Sequence, residues 1–352
     1  MTISDSETAL NLTDNPRAVV MRKALRHLSN CISLLNIGTC IDPKTAEILV
    51  NDGVKLSQIF IDRDENAEAG DMTLHWLAEG LRDEQRLVHL IRREKPDIIC
   101  PNFTDEAEQQ AVLKVVNLAA NAEVYPTQHE GEDLLAWQVK AIYLPAELSG
   151  NDKKTIFDDL PKSLIDLATY VDAPAMVEPL AMAQMAIDEA IAAWPDYELI
   201  GKKAAIALEN IIRAQGGCPD SALPETYHRL SDKKRRLTRV LALAHEVNVR
   251  VELSATQVKA GGDFVLTIHN ETPVLDLSIS VRLPDGWETS EWLDMSCEIY
   301  VPDDAAPSAA QPDIYYADRA NHDLQVILTW QEGGQLISMN IDPENELLVL
   351  AN

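Results

Sequence analysis

Apolar positions recur at helical spacing across residues 18–30, where Val19 or Val20, Met21, Leu25 and Leu28 share one side, and the chain then enters a continuous apolar run, Cys31–Ile37. That order predicts an amphipathic helix feeding a strand buried on both faces, the beginning of a βαβ unit. A second helix is predicted over Asp42–Asp52, entered through an Asp42 cap and a first-turn Pro43, and it leads to a strand at Leu56–Ile61. The polar, aperiodic stretch Arg63–Thr73 reads as a loop on the ligand-binding edge of the sheet. Leu87, Val88, Leu90 and Ile91 give another helical stripe; the Lys95–Pro96–Asp97 break then admits a short apolar strand, Ile98–Cys100. A strand at Trp137–Leu144 and a helix at Ser163–Tyr170 complete a doubly wound, mainly parallel α/β domain over residues 1–172. Ligands of such sheets sit beyond the carboxyl ends of the strands, which points to the loop Pro101–Gln109.

Residues 173–247 keep the helical period without strand signals, in segments Met176–Trp194, Glu198–Ala214 and Thr226–Glu246 divided by Pro195 and by Gly216–Pro219. From Asn248 the period changes to two, with turn residues between VRVELSATQV, DFVLTIHN and LDLSISVRLPDGW. The expectation for residues 248–352 is an antiparallel β-sandwich. Trp287, Trp292 and Trp330 fall in it, and each is either core or a platform for a sugar ring.

Composition narrows the function classes. The 352 residues are 46% hydrophobic, enough for a sizeable core, and the formal net charge is −27. A chain so acidic is a poor partner for nucleic acid, whose phosphates demand clustered cations. The single basic run, Lys233–Lys234–Arg235–Arg236, reads as decoration of an exposed helix face. No stretch supplies the ~20 apolar residues needed to span a bilayer, the N-terminus lacks a signal-peptide pattern, and five cysteines without CxxC spacing suit reduced thiols, so a cytoplasmic location is expected. No HExxH, GxSxG, P-loop or GxGxxG occurs.

Four segments in this order, Val50–Phe60 (VNDGVKLSQIF), Leu87–Ile99 (LVHLIRREKPDII), Trp137–Tyr143 (WQVKAIY) and Ser280–Trp287 (SVRLPDGW), give the chain a resemblance to the PIG-L or LmbE-like family of metal-dependent N-deacetylases, in its long form with C-terminal extensions. The run Tyr300–Pro307 (YVPDDAAP) resembles the C-terminal domain of the same long form, whose modules are associated with carbohydrate. The resemblance implies a Rossmann-like fold with zinc held by an HPDDE-like motif after the first strand and by a second, HxxH-like motif in the loop 101–109. Here the first strand corresponds to Thr8–Leu12, and the ligand histidine, base aspartate and ligand aspartate positions fall on Thr13, Asn15 and Pro16, beside Asp14 and Arg17. The paired histidines of the second motif correspond to Asp105 and Glu108.

Two carboxylates do not make a catalytic zinc site, which takes three ligands, usually with histidine among them, plus an open water position. Asp105 and Glu108 are equally well explained as acids favoured by a helix N-terminal dipole. His129, in Thr127–Asp133, is the only histidine near the expected ligand-binding edge. The expectation is therefore a family member that has lost zinc-dependent deacetylation and acts as a binding or scaffolding protein beside a protein partner or an active paralogue. No cofactor is expected. Two alternatives stand beside it: an active deacetylase of an N-acetylated sugar or related amide with zinc or another divalent cation rebuilt on Asp14, Asp105, Glu108 and His129, and a carbohydrate-binding protein acting through the sandwich. Arg17 is expected either to occupy part of the vestigial pocket, pairing with Asp105 or Glu108 or meeting an anionic ligand, or to point to solvent at the helix start.

Overall fold

The computed structural model describes residues 16–29, 31–41, 44–46, 49, 54–60, 73–76, 81, 83–128, 134–143, 159–272, 276–305, 324–341 and 347–350. The apolar run after the first helix forms β1 (Ile32–Gly38), flanked by β2 (Val54–Phe60) and β4 (Ile98–Asn102), with β3 (Thr73–Trp76) outside β2 and β5 (Ala141–Ile142) outside β4. All neighbours are parallel, in the order β3-β2-β1-β4-β5. Continuous apolar sequence is used as expected, on both faces. Leu35, Ile37, Ile59 and Ile99 pack under α2 (Glu84–Glu94) and α3 (Glu106–Ala120), while Ile32, Leu34, Leu56, Ile98 and Cys100 form a separate core on the other side. Residues 44–46 and 49 are helical, within the segment read as a helix.

The strand expected over Trp137–Leu144 shrinks to Ala141 and Ile142, and the reason is a buried indole. Trp137 Nε1 donates to the Pro96 carbonyl at 2.7 Å and its backbone N–H to Ala119, which draws residues 137–140 across the end of the sheet instead of along it. The strand expected at Thr8–Leu12 and most of the loop Arg63–Thr73 lie outside the described residues, although Thr73 itself begins β3.

The helical region follows its caps. α4 (Leu164–Tyr170) starts at a Ser163 cap, α5 (Pro174–Ala192) at a first-turn proline, and α6 (Tyr197–Gly216) at Asp196, whose carboxylate accepts from the Leu199 N–H at 3.0 Å. A single 3-10 turn (Asp220–Ala222) then leads into α7 (Leu223–Ala244). α1 (Pro16–Leu28) does not cover the sheet: Met21, Leu25 and Leu28 are buried in the core shared by α4 to α7.

Beyond α7 the alternation becomes antiparallel sheet. β6 (Val249–Leu253), β8 (Asp263–Asn270), β11 (Ser296–Tyr300) and β10 (Glu288–Thr289) pair in the order β10-β11-β8-β6; β9 (Ser278–Arg282), β12 (Gln325–Glu332) and β13 (Gln335–Ile341) pair as β13-β12-β9. A short parallel pair joins β7 (Gln257–Lys259) to β14 (Leu348–Leu350). The inward residues Val251, Phe264, Leu266, Ile299, Leu328 and Trp330 enter the same core as the helices. Among the described residues no helix is long and apolar enough to cross a membrane, and all five cysteines are free thiols.

Candidate functional site

The strand order reverses between β1 and β4, so general experience of open parallel sheets directs attention to their carboxyl ends. Among the described residues, the chain's own groups bridge the ends of β1 and β4 there. The Thr39 N–H donates to the Asn102 carbonyl at 2.9 Å, and the Asn102 and Asn36 side-chain amides both donate to the Thr39 carbonyl, at 2.8 and 2.7 Å. Gly38 makes this approach possible: its φ is +108°, and a Cβ there would lie 2.6 Å from the Asn102 oxygen and 2.8 Å from the Phe103 ring. Gln58, buried beside Asn36, donates to the Gly38 carbonyl at 2.9 Å.

The residues expected at a vestigial metal pocket are distributed differently. Thr13, Asp14, Asn15 and His129 lie outside the described residues. Asp105 is the cap of α3, its carboxylate accepting from the Ala107 N–H at 2.8 Å, and Glu108 stands in the first turn of that helix. Arg17 is engaged at the far end of the helical region: its guanidinium donates to the Leu243 and Ala244 carbonyls at the end of α7, pairs with Glu246, and lies 4.2 Å from the centre of the Tyr197 ring. Asp105 and Glu108 are not among these partners, so the pairing expected for Arg17 is replaced by a helix C-terminal cap. Among the described residues no group of three or more His, Cys, Asp or Glu side chains is disposed to hold a metal ion.

A cavity of about 360 Å³ opens instead at the opposite, amino edge of the sheet. The starts of β1 and β2 contribute Cys31, Ile32, Ser33 and Lys55, the end of α2 contributes Arg93 and Glu94, and the facing wall comes from α4 and α7. Behind it runs the strongest polar linkage between sheet and helices. Asp97, fully buried at the foot of β4, accepts from the Ser33 N–H at 2.9 Å and from the Arg229 guanidinium through both of its oxygens. Arg229 also donates to the Cys31 and Glu225 carbonyls, each at 2.9 Å. Burial pulls the Arg229 guanidinium down, but the bonds and charge of Asp97 outweigh it and hold its pKa above the ordinary value.

The basic run expected on an exposed face turns partly inward. Lys233 is buried and donates to the Leu28 carbonyl, and Arg236 donates to the His27 carbonyl at 2.7 Å, so both cap the C-terminal end of α1. Burial lowers the Lys233 pKa. For the partly buried Asp232, burial acts upward, yet Lys55, Arg236 and Arg235 overrule it and hold the carboxyl well below the usual range. This placement has a signature in the sequence: Leu230, Lys233, Leu237 and Leu241 follow at spacings of three and four, one helical face.

His228 lines the same cavity, packed edge-on against Trp137 with ring centroids 4.9 Å apart. Neither ring nitrogen has a well-formed hydrogen bond; the Pro224 carbonyl offers only weak support. Burial first, then the charges of Arg229 and Lys95, push its pKa down to about 3, against a smaller upward pull from Asp97. A histidine with a depressed folded pKa contributes stability that is complete above the unfolded value near 6.5 and is lost as pH falls toward 3. His228→Phe, which keeps the edge contact and removes the titration, is expected to lose about 3 kcal/mol less stability than the parent between pH 7 and pH 4. Urea denaturation at the two pH values checks this; equal losses would mean that His228 does not carry the acid sensitivity.

The three tryptophans divide. Trp330 is core and Trp287 packs edge-on against Phe264, while Trp292 is 45% exposed.

Fold and site together define an α/β protein whose parallel sheet is joined to its helical region through a polar linkage at the sheet's amino edge, and whose antiparallel sheets share the apolar core of those helices. In comparisons with known proteins, no family model and no curated protein matches the chain.

Proposed function

We propose that this chain is a non-catalytic binding or scaffolding protein built on a PIG-L/LmbE-like plan, with its C-terminal sheets arranged as a sandwich. The observation that carries the reading is the condition of the β1–β4 crevice. A hydrolase on such a sheet needs room at this point for a metal-bound water and an amide carbonyl. Here the Thr39–Asn102 bonds and the Phe103 ring fill the approach to Gly38, and Asp105 directs its carboxylate to a backbone N–H. A carboxylate engaged as a helix cap is stabilised in that role and is a poor candidate for a metal ligand or a general base.

The protein in this reading holds a partner through its surfaces, and deacetylation is left to another chain. Calorimetric titration of zinc into the full chain, paired with an assay for acetate released from N-acetylglucosamine, tests it. The expected result is no saturable zinc binding at micromolar concentration and no acetate. Stoichiometric zinc together with acetate release would replace this reading with that of an active deacetylase.

A further inference from the structure

We infer that the amino-edge cavity is a binding site for a small organic phosphate, a use of the fold independent of whether the carboxyl edge is catalytic. The described lining carries Lys55, Arg93, Lys233 and Arg235 against two carboxylates, Glu94 and Asp232, while a fifth cation, Arg229, is matched by the buried Asp97 behind it. That local excess is set in a chain whose acids outnumber its bases 57 to 30. The distant acids do not cancel it, because charges beyond ~8–10 Å are largely screened at physiological salt, whereas groups lining a partly enclosed cavity are not.

The carboxylates present are already shared among cations. Asp232 meets Arg235 at 2.9 Å and Arg236 at 2.7 Å and feels Lys55; Glu94 lies 3.7 Å from Lys55. Lys233 donates to the Leu28 carbonyl, a neutral partner, while its burial lowers its pKa. The other part of the wall is apolar, formed by Ile32, Leu164 and Leu167. A cavity cationic on one side and apolar on the other fits a ligand with a phosphate at one end and a ring or hydrocarbon body at the other. Its volume, about 360 Å³, suits a small molecule.

Phenyl phosphate and inorganic phosphate, titrated calorimetrically into the full chain at matched ionic strength, separate the two halves of the inference. Phenyl phosphate is expected to bind one site per chain, about tenfold tighter than inorganic phosphate. Lys55→Gln or Arg235→Gln is expected to weaken that binding by about tenfold, and Asp232→Asn to tighten it, since it removes a carboxylate that faces the ligand. The opposite signs distinguish binding from a structural role, which would weaken the site in all three variants. The inference is overturned if neither compound gives saturable heat, if both bind equally and the substitutions leave the binding unchanged, or if the Asp232→Asn variant binds less tightly than the parent.

Discussion

Arg229→Ala is expected to destabilise the protein by about 3–5 kcal/mol, the largest loss for any single substitution in the α/β half or the helices. The reason is what it leaves behind. Asp97 is fully buried and the Arg229 side chain is only 7% exposed. Without the guanidinium, Asp97 keeps only its bonds to Ser33, and a carboxylate without a counter-charge remains in the interior. Arg229→Lys restores the charge but not the two-pronged geometry, and the Cys31 and Glu225 carbonyls also depend on that fork, so it should recover about half of the loss. The double variant Asp97→Asn with Arg229→Met removes both charges and is expected to cost less than the sum of the single changes. Urea midpoints for the four proteins measure the coupling; strict additivity would mean that the pair does not act as a unit.

Arg92→Met is expected to cost about 3 kcal/mol, although it takes a buried cation out of the core. Arg92 has no solvent exposure and no carboxylate partner is described for it. Its guanidinium satisfies the end of α3 instead, donating to Ala119 at 3.2 Å, Asn121 at 2.8 Å and Val124 at 2.9 Å, and to the Gln128 side chain at 2.9 Å. Burial lowers its pKa, which is the sign of a real desolvation cost. Two terms therefore oppose. Methionine recovers the desolvation of the guanidinium but leaves the Val124 carbonyl and the Gln128 side-chain oxygen without their donor, at about 1–3 kcal/mol each, and takes one of two donors from the Ala119 and Asn121 carbonyls. Two acceptors lose their donor outright and two more are weakened against one desolvated cation, so the net effect is loss. A urea midpoint equal to or above that of the parent would show that desolvation dominates.

Much of this fold was legible in the pattern of the chain. Unbroken apolar runs marked β1 and β4 as strands covered on both faces, and the change of period at Asn248 marked the start of antiparallel sheet. The helical period, broken at Pro195, placed α5 and α6 to within a few residues. Periodicity could not show where a helix docks. α1 has the stripe of a helix that covers a sheet, and it packs on α7 instead, because the choice is made by residues two hundred positions away.

The site was less legible. Arg92 follows Val88 by four residues and so lies on the apolar face of α2, but nothing local announces that its partners are the carbonyls ending α3. Asp97 was read as part of a strand-initiating break, yet its role is set by Arg229, 132 residues later. The general tendency of parallel sheets to bind ligands at their carboxyl edge points away from the amino-edge cavity. The cavity at the amino edge is a product of tertiary packing, and its one sequence trace is a lysine within a leucine stripe.

The docking of α1 also bears on how the chain can be made. Arg17 and the Leu243 carbonyl are 226 residues apart, and Lys233 lies 205 residues beyond the carbonyl it caps. During synthesis from the N-terminus, α1 emerges first among the described elements and finds its seat among the last of the helices. The seat that α7 gives to Met21, Leu25 and Leu28 is therefore missing while the parallel sheet and the five helices α2 to α6 are translated. Contacts of such long separation are slow to close, and the helix that waits for them is open to mispairing or to a chaperone throughout that interval. α1 thus precedes the other described elements in synthesis and is seated only once α7 has followed.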